Sequence, residues 1–232
     1  MAATQGYGWL SRRLPRFLYR YLWHFESRIV DEVTALAQRA GTGARVLDAG
    51  AGEGQYRGHF AAARYIGADL GIGDTAWDYR GLDVVCDLCA LPFPDGVFDA
   101  CLNIVTLEHV RRPDAVLREI SRTLRPGGQL LLVAPQDWQV HQSPHDYFRY
   151  TRHGLQYLLE SAGFVEVTIE PGGGYFRLMG RRMLNGLEYF PGPLKLLAAA
   201  LLLPLGVLFP LFDGLDSRRD FTLGYFCRAV KR

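Results

Sequence analysis

Residues 46 to 54 read Val46-Leu47-Asp48-Ala49-Gly50-Ala51-Gly52-Glu53-Gly54, a short apolar run that ends in an acid and passes straight into three glycines spaced two apart. Glycines without a Cβ let the chain turn sharply and offer its amides to a ligand, while Asp48 sets a carboxylate at the carboxyl end of a strand. A plain connecting loop can also be glycine-rich, so the spacing matters. A dinucleotide fingerprint G-x-G-x-x-G needs its third glycine at position 55, where Gln55 stands; Gly54 comes one residue early. The spacing therefore disfavours a nicotinamide-dependent oxidoreductase. An acid just before the first glycine suits a cationic ammonium, reached directly or through a water.

Outward from this stretch, helical and extended patterns alternate. Strands are expected at 45–49, 64–69, 82–86, 97–103, 129–134 and 164–170, and a last one within 221–230; helices are expected at 54–62, 113–123 and 151–162. Such alternation predicts a parallel sheet with helices on both faces. Arg125-Pro126-Gly127-Gly128 reads as a helix stop that turns the chain into a strand. Ligands bind outside the carboxyl ends of such strands, and Asp48, Asp69, Asp87 and Asn103 all fall there.

With those motifs in order, the sequence resembles the class I S-adenosylmethionine-dependent methyltransferases, in particular the type 11 methyltransferase domains, over roughly residues 40 to 170 and the last strand. The resemblance implies a Rossmann-like α/β fold, doubly wound around a mostly parallel seven-stranded sheet. It also implies S-adenosyl-L-methionine as cofactor. Asp48, Gly50 and Gly52 would line its methionine end. Asp69, in Tyr65-Ile66-Gly67-Ala68-Asp69 and followed by Leu70, would take the two ribose hydroxyls. Asp87 and Leu88, in Cys86-Asp87-Leu88, would border the adenine. Asn103, in Phe98-Asp99-Ala100-Cys101-Leu102-Asn103, and His109, in Leu107-Glu108-His109-Val110, would complete the cofactor side.

The loop after the fifth strand, Ala134 to Thr151, is polar and aromatic together. His141, His145 and Asp146 are the candidate catalytic groups, able to deprotonate an acceptor, with Trp138, Tyr147 and Phe148 shaping the pocket. The same residues could simply fold the loop and cap the helix that begins near Thr151.

The chain has 232 residues and a formal net charge of +2, which fits one α/β domain and gives no dominant basic field, so no nucleic-acid partner is expected. Cys86 and Cys89 form a C-x-x-C pair with no second pair at zinc spacing, so no metal is expected and the thiols are read as reduced in a cytoplasm. Arg12, Arg13, Arg16 and Arg20 interrupt the first apolar run, so no secretory signal is expected. Residues 1–40 are read as an amphipathic helical region and 41–232 as the methyltransferase domain. Leu14, Phe17, Leu18, Tyr21, Leu22, Phe25 and Ile29 recur at helical spacing behind Ser11 as a cap. This helix suits either an anionic membrane or a cover over the cofactor pocket.

A minimal methyltransferase closes on a strand hairpin, whereas here an insertion, 171–220, precedes the last strand. Its centre, 194–212, is apolar apart from Lys195, and Pro204 and Pro210 argue against a full membrane span. Peripheral membrane contact through 10–29 and 194–212, at the inner face of the membrane, is the preferred expectation. The expected function is methyl transfer to a small or lipid-linked acceptor, such as a glycan, quinone precursor or lipid intermediate. The alternative is a cofactor-binding scaffold whose apolar insertion recruits a partner.

Overall fold

Strand β1 (Arg45–Ala49) is buried along all but its first residue, as a strand covered on both faces must be. The computed structural model describes residues 15–73 and 76–232. Around β1 lie β2 (Arg64–Asp69), β3 (Val84–Val85), β4 (Phe98–Ile104), β5 (Leu124–Pro135), β6 (Phe164–Pro171) and β7 (Gly224–Lys231). They form a seven-stranded sheet in the order β3-β2-β1-β4-β5-β7-β6. The pairs β3/β2, β2/β1, β1/β4 and β4/β5 are parallel, and β7 runs antiparallel to β5. The strand order reverses at β1 and β4, and crevices at such a switch point hold ligands.

Among the described residues, the helices are α1 (Arg16–Leu22), α2 (His24–Ala40), α3 (Pro113–Thr123), α4 (Arg152–Ser161), α5 (Tyr175–Gly186) and α6 (Leu194–Leu208). Helix α3 coincides with the expected 113–123. Pro113 opens it, Asp114 lies in its first turn and Arg122 in its last, as the backbone dipole favours. Val116, Leu117 and Ile120 turn inward and are fully buried, each stabilising by about 1.5–3 kcal/mol. Helix α4 starts where Thr151 accepts the Gly154 amide at 3.1 Å.

Four sequence expectations differ from the structure. The expected helix 54–62 is only a 3-10 turn, Arg57–Phe60, because Gly54 sits at φ +73°, a left-handed residue that cannot propagate an α-helix. Strand β3 is two residues rather than five: the amides of Asp83 and Cys86 still bond Gly67 O and Asp69 O, but the Gly67 amide goes to the Asp83 carboxylate rather than to a backbone carbonyl. Arg125-Pro126-Gly127-Gly128 does not separate helix from strand. Leu124 already pairs with Phe98 and Gln129 with Ala100, so these four residues bulge out within β5. The N-terminal helix is broken at Trp23 (φ −107°, ψ 51°) into α1 and α2, and Ser11, its expected cap, lies outside the described residues.

The chain forms two compact units. The first is Ile29–Glu170 with Gly224–Arg232, the sheet and its helices. The second joins residues 15–28 to Pro171–Leu223. Within the second, Asp213 accepts the amides of Gly174 (3.1 Å) and Arg177 (2.9 Å) while Asp216 accepts that of Tyr175 (2.8 Å), so carboxylates from downstream cap the start of α5. Helix α5 meets the later helices closely: a Cβ on Gly180 would stand 2.8 Å from Pro210, and one on Gly206 2.6 Å from Leu184. Buried Arg181 pairs with Glu26 and lies over the Trp23 ring at 5.9 Å. Helix α6 and the 3-10 run Phe209–Leu215 make a 22-residue stretch, charged only at Lys195 and Asp213, that is long and apolar enough to cross a membrane by length and composition alone. Leu196, Leu197, Leu201, Leu211 and Leu215 on it are each more than 60% exposed.

Candidate active site

The glycine loop is bolted to its neighbours by backbone bonds. The amides of Gly50 and Ala51 donate to Ala68 O at 2.8 and 3.1 Å. Gly50 has φ +93°, and a Cβ there would lie 2.2 Å from Thr106 Cγ2, so conformation and space both require glycine. Gly52 has φ +52° and a Cβ there would lie 3.2 Å from the Trp77 ring. Asp69, at the end of β2, closes the loop: Oδ2 accepts the Gly52 amide (3.0 Å) and Oδ1 the Gly71 amide (2.8 Å). Each oxygen keeps a second lone pair, so the carboxylate can still accept two hydroxyls.

Asp48 is fully buried and its Oδ2 accepts the Tyr65 hydroxyl at 2.5 Å. Burial pushes its carboxyl up to about 7, Asp69 adds to that, and the Tyr65 hydroxyl opposes it. Asn103 donates to Ala49 O at 2.7 Å, while its buried Oδ1 has no hydrogen-bond partner among the described residues. A buried acceptor left over beside a buried carboxyl is what a cationic donor would satisfy. On the β3 side the Cys86 amide reaches Asp69 O at 2.9 Å, and the next residue, Asp87, is exposed and accepts the Cys89 amide at 2.8 Å. Leu88 is buried in the core, whereas Leu70 is 43% exposed at the mouth.

The structure thus brings Asp48, Gly50, Gly52, Asp69 and Asn103 together through direct contacts around one loop, with Asp87 alongside. His109 belongs to a different cluster. It sits on the 3-10 turn Leu107–His109 after β4, where its Nε2 faces His141 Nε2 at 3.1 Å. Asp146 is held by a fork from Arg149 (2.6 and 2.8 Å) and by the His141 amide (2.9 Å), and these bonds hold its carboxyl down at about 2 against the opposing effect of burial. His145 Nδ1 lies 3.1 Å from the Tyr147 hydroxyl. The amides of Tyr147 and Phe148 donate to Glu108 O, and the Tyr150 hydroxyl to Leu107 O, so the loop after β5 is sewn onto the turn after β4.

Sequence reading passed over four residues of this site. Tyr65 and Thr106 were legible only as strand and loop residues, since their partners stand 17 and 56 positions away. Trp77 gave an isolated aromatic in a glycine-rich loop as its only signal. Glu108 was read as part of a segment bordering the cofactor, yet it is fully buried, and burial pushes its carboxyl up to about 8.

Residues 47–132, which contain the loop and all four strand-tip residues Asp48, Asp69, Asp87 and Asn103, match the family model "Methyltransferase domain". These residues carry the methyltransferase domain of the class I S-adenosylmethionine-dependent family. S-adenosylmethionine is the cofactor of this family. Among similar proteins, the mouse tRNA (carboxymethyluridine(34)-5-O)-methyltransferase ALKBH8 is 36% identical over 121 residues, 50% of this chain and 17% of that protein. The ubiquinone/menaquinone biosynthesis C-methyltransferase UbiE of Cellvibrio japonicus is 34% identical over 121 residues, 46% of this chain and 49% of that protein. The chain therefore spans less than half the length of either relative. The Haemonchus contortus phosphoethanolamine N-methyltransferase 2, solved with S-adenosyl-L-methionine, superposes with a TM-score of 0.57 at 21% identity, over 87% of this chain and 52% of that one. At that identity the likeness is one of fold.

Proposed function

We propose that this methyltransferase moves the methyl group of S-adenosylmethionine to a small or lipid-linked acceptor, such as a glycan, a quinone precursor or a lipid intermediate, in contact with the inner face of a membrane. The convergence of Asp48, Asp69 and Asn103 on one glycine loop carries the reading. When bound, the cofactor supplies an electrophilic methyl group on a sulfonium. The protein's part is to hold, orient and keep dry.

In this reading Asp48 and the free Oδ1 of Asn103 take the ammonium end. Asp69 takes the ribose hydroxyls with its remaining lone pairs, and Asp87 with the Leu88 amide borders the adenine. The rigid loop fixes the methyl group's direction, so the acceptor atom needs only to be placed in line with it. His145 holds or removes the acceptor's proton, and Asp146, committed to Arg149, fixes the ring of His141 rather than acting as the base. The exposed leucines of Leu194–Leu215 support the membrane part, since an apolar face of that size is uncommon on a surface meeting only water.

Calorimetric titration with S-adenosylhomocysteine tests the cofactor site, and loss of that heat in D69A is the expected result. Incubation of labelled cofactor with lipid, glycan and bulk tRNA extracts tests the acceptor. Label in lipid or glycan is expected. Label in RNA alone would favour the second reading, which the likeness to a tRNA methyltransferase supports. Cofactor binding with label in no extract would favour a scaffold. Flotation with anionic vesicles tests the membrane: L197E/L201E should stay in the dense fraction, and unchanged flotation sinks that part.

A further inference from the structure

We propose that Glu108, His109 and His141 form a three-ligand site for a divalent transition metal, zinc by its donor chemistry, with a coordination position left open. Each residue offers one ligand atom, and these atoms all lie within 4.8 Å of one another. The orientation of the two imidazoles carries the argument. His109 Nδ1 is 2.6 Å from His145 O, and His141 Nδ1 is 3.1 Å from Gln139 O and 3.3 Å from Asp146 Oδ2. Carbonyl oxygens only accept, so both Nδ1 atoms carry the proton. A neutral ring then presents a bare lone pair at Nε2.

Those two lone pairs face each other at 3.1 Å. Without something between or beside them the contact is repulsive. Two nitrogens bound at about 2.0–2.1 Å to a tetrahedral zinc stand roughly 3.3 Å apart, close to the spacing found. The third donor is Glu108, fully buried, with neither carboxylate oxygen hydrogen-bonded to a partner among the described residues and Oε1 3.7 Å from His109 Nε2. A buried carboxylate with four idle lone pairs costs several kcal/mol unless a proton or cation serves it. Two imidazoles and one carboxylate are the donors of open zinc sites, and no thiolate is involved.

The surroundings fit ligands rather than a lone acid–base pair. Ligating histidines hand their other N–H to a carbonyl or carboxylate, which fixes the tautomer. Here His145 O, Gln139 O and Asp146 do so, and Arg149 in turn fixes Asp146. His141, expected from the sequence as a base, and His109, expected at the cofactor, become partners in one site. Resting on the methyl-transfer reading, the open position would take an acceptor oxygen and lower its pKa. Metal binding itself does not depend on that reading.

The test uses the full chain with its accessible thiols, Cys86 and Cys89, alkylated, stripped with a chelator and titrated with zinc and cobalt. Expected are one metal per chain by elemental analysis and the intense visible bands of low-symmetry cobalt. H141A should abolish both, and D146N should weaken zinc about 10- to 100-fold, each at unchanged circular dichroism. Should E108Q fail to fold, H141A on the surface loop still decides the matter. Substoichiometric zinc, or equal binding by H141A, overturns the proposal and leaves a proton shared between the rings. S-adenosylhomocysteine titration of the stripped protein separates the two claims: retained binding without a metal site leaves the methyltransferase reading intact, and metal without cofactor binding does the reverse.

Discussion

Replacing Tyr65 by phenylalanine removes one hydroxyl from a buried pair and should destabilise the protein more in alkali than in acid. In the wild type Asp48 titrates near 7 instead of the ordinary 3.8. A carboxyl raised in the folded state contributes stability that is fully present below its unfolded pKa and lost as the pH rises through 7. The Tyr65 hydroxyl limits that loss, because it donates at 2.5 Å to the very oxygen that becomes charged. A bond to an ionised group is worth about 1.5–3 kcal/mol and one to a neutral group about 0.5–1.5, so Y65F should raise the folded pKa by roughly one further unit. Urea unfolding at about pH 5.5 and pH 8.5 reads the difference, with both proteins measured at both values. The cost of Y65F should be about 1 kcal/mol in acid and greater by about another 1 kcal/mol in alkali. Other titrating groups, Glu108 among them, are common to both proteins and cancel. A cost that is flat or shrinks with pH would refute the claim that Asp48 changes charge against this hydroxyl.

Other substitutions read the same loop and the insertion. G50A forces a side chain onto φ +93° and 2.2 Å from Thr106, so thermal unfolding should show a loss of about 1–3 kcal/mol, only partly recovered in G50A/T106A because the Thr106 Cβ at 2.7 Å remains. D69A strands the Gly52 and Gly71 amides and should lower stability by about 1–3 kcal/mol, with S-adenosylhomocysteine affinity falling further than in D69N, which keeps one acceptor oxygen. In the insertion, G180A meets Gly206 O at 3.0 Å and the Pro210 ring at 2.8 Å, whereas G206A meets only the flexible end of Leu184 within 3.0 Å. Limited proteolysis should therefore cut G180A faster than G206A, by a destabilisation of about 1–3 kcal/mol.

The sheet's framework was legible because burial on both faces leaves a strong imprint. Val46 and Leu47, with Ala49 beyond the buried Asp48, mark a strand covered on both faces, and Val116, Leu117 and Ile120 repeat at helical spacing, so β1 and α3 fall where expected. The edges were not, because they are decided by single polar contacts between distant residues. Nothing near Asp83 announces that its carboxylate will take the Gly67 amide in place of a backbone carbonyl, and nothing in Arg125-Pro126-Gly127-Gly128 fixes a bulge opposite Asp99. The site divides in the same way. Acids at strand tips could be placed from strand ends alone, whereas the roles of His109, His141 and Asp146 depend on which ring nitrogen meets which oxygen, a property of the folded loop.

That distinction bears on how the site works. The strand tips hold fixed backbone against a ligand: Gly50 and Ala51 bond Ala68, and Asp69 bonds Gly52, so the cofactor side is rigid before anything binds. The loop after β5, the proposed acceptor side, is made rigid secondhand, by Arg149 clamping Asp146 and by Glu108 O receiving two loop amides. Under the proposed function, variation along 136–149 would change what is methylated without touching how the methyl donor is held, provided Asp146 and Arg149 keep the loop in place. Charge reversal of that pair separates the two functions. R149E sets a second acid beside Asp146 and should release the loop, lowering turnover of any acceptor while leaving S-adenosylhomocysteine affinity within a few-fold of wild type. Equal loss of both would mean that the loop after β5 also builds the cofactor pocket, and that the division of labour drawn from these hydrogen bonds is wrong.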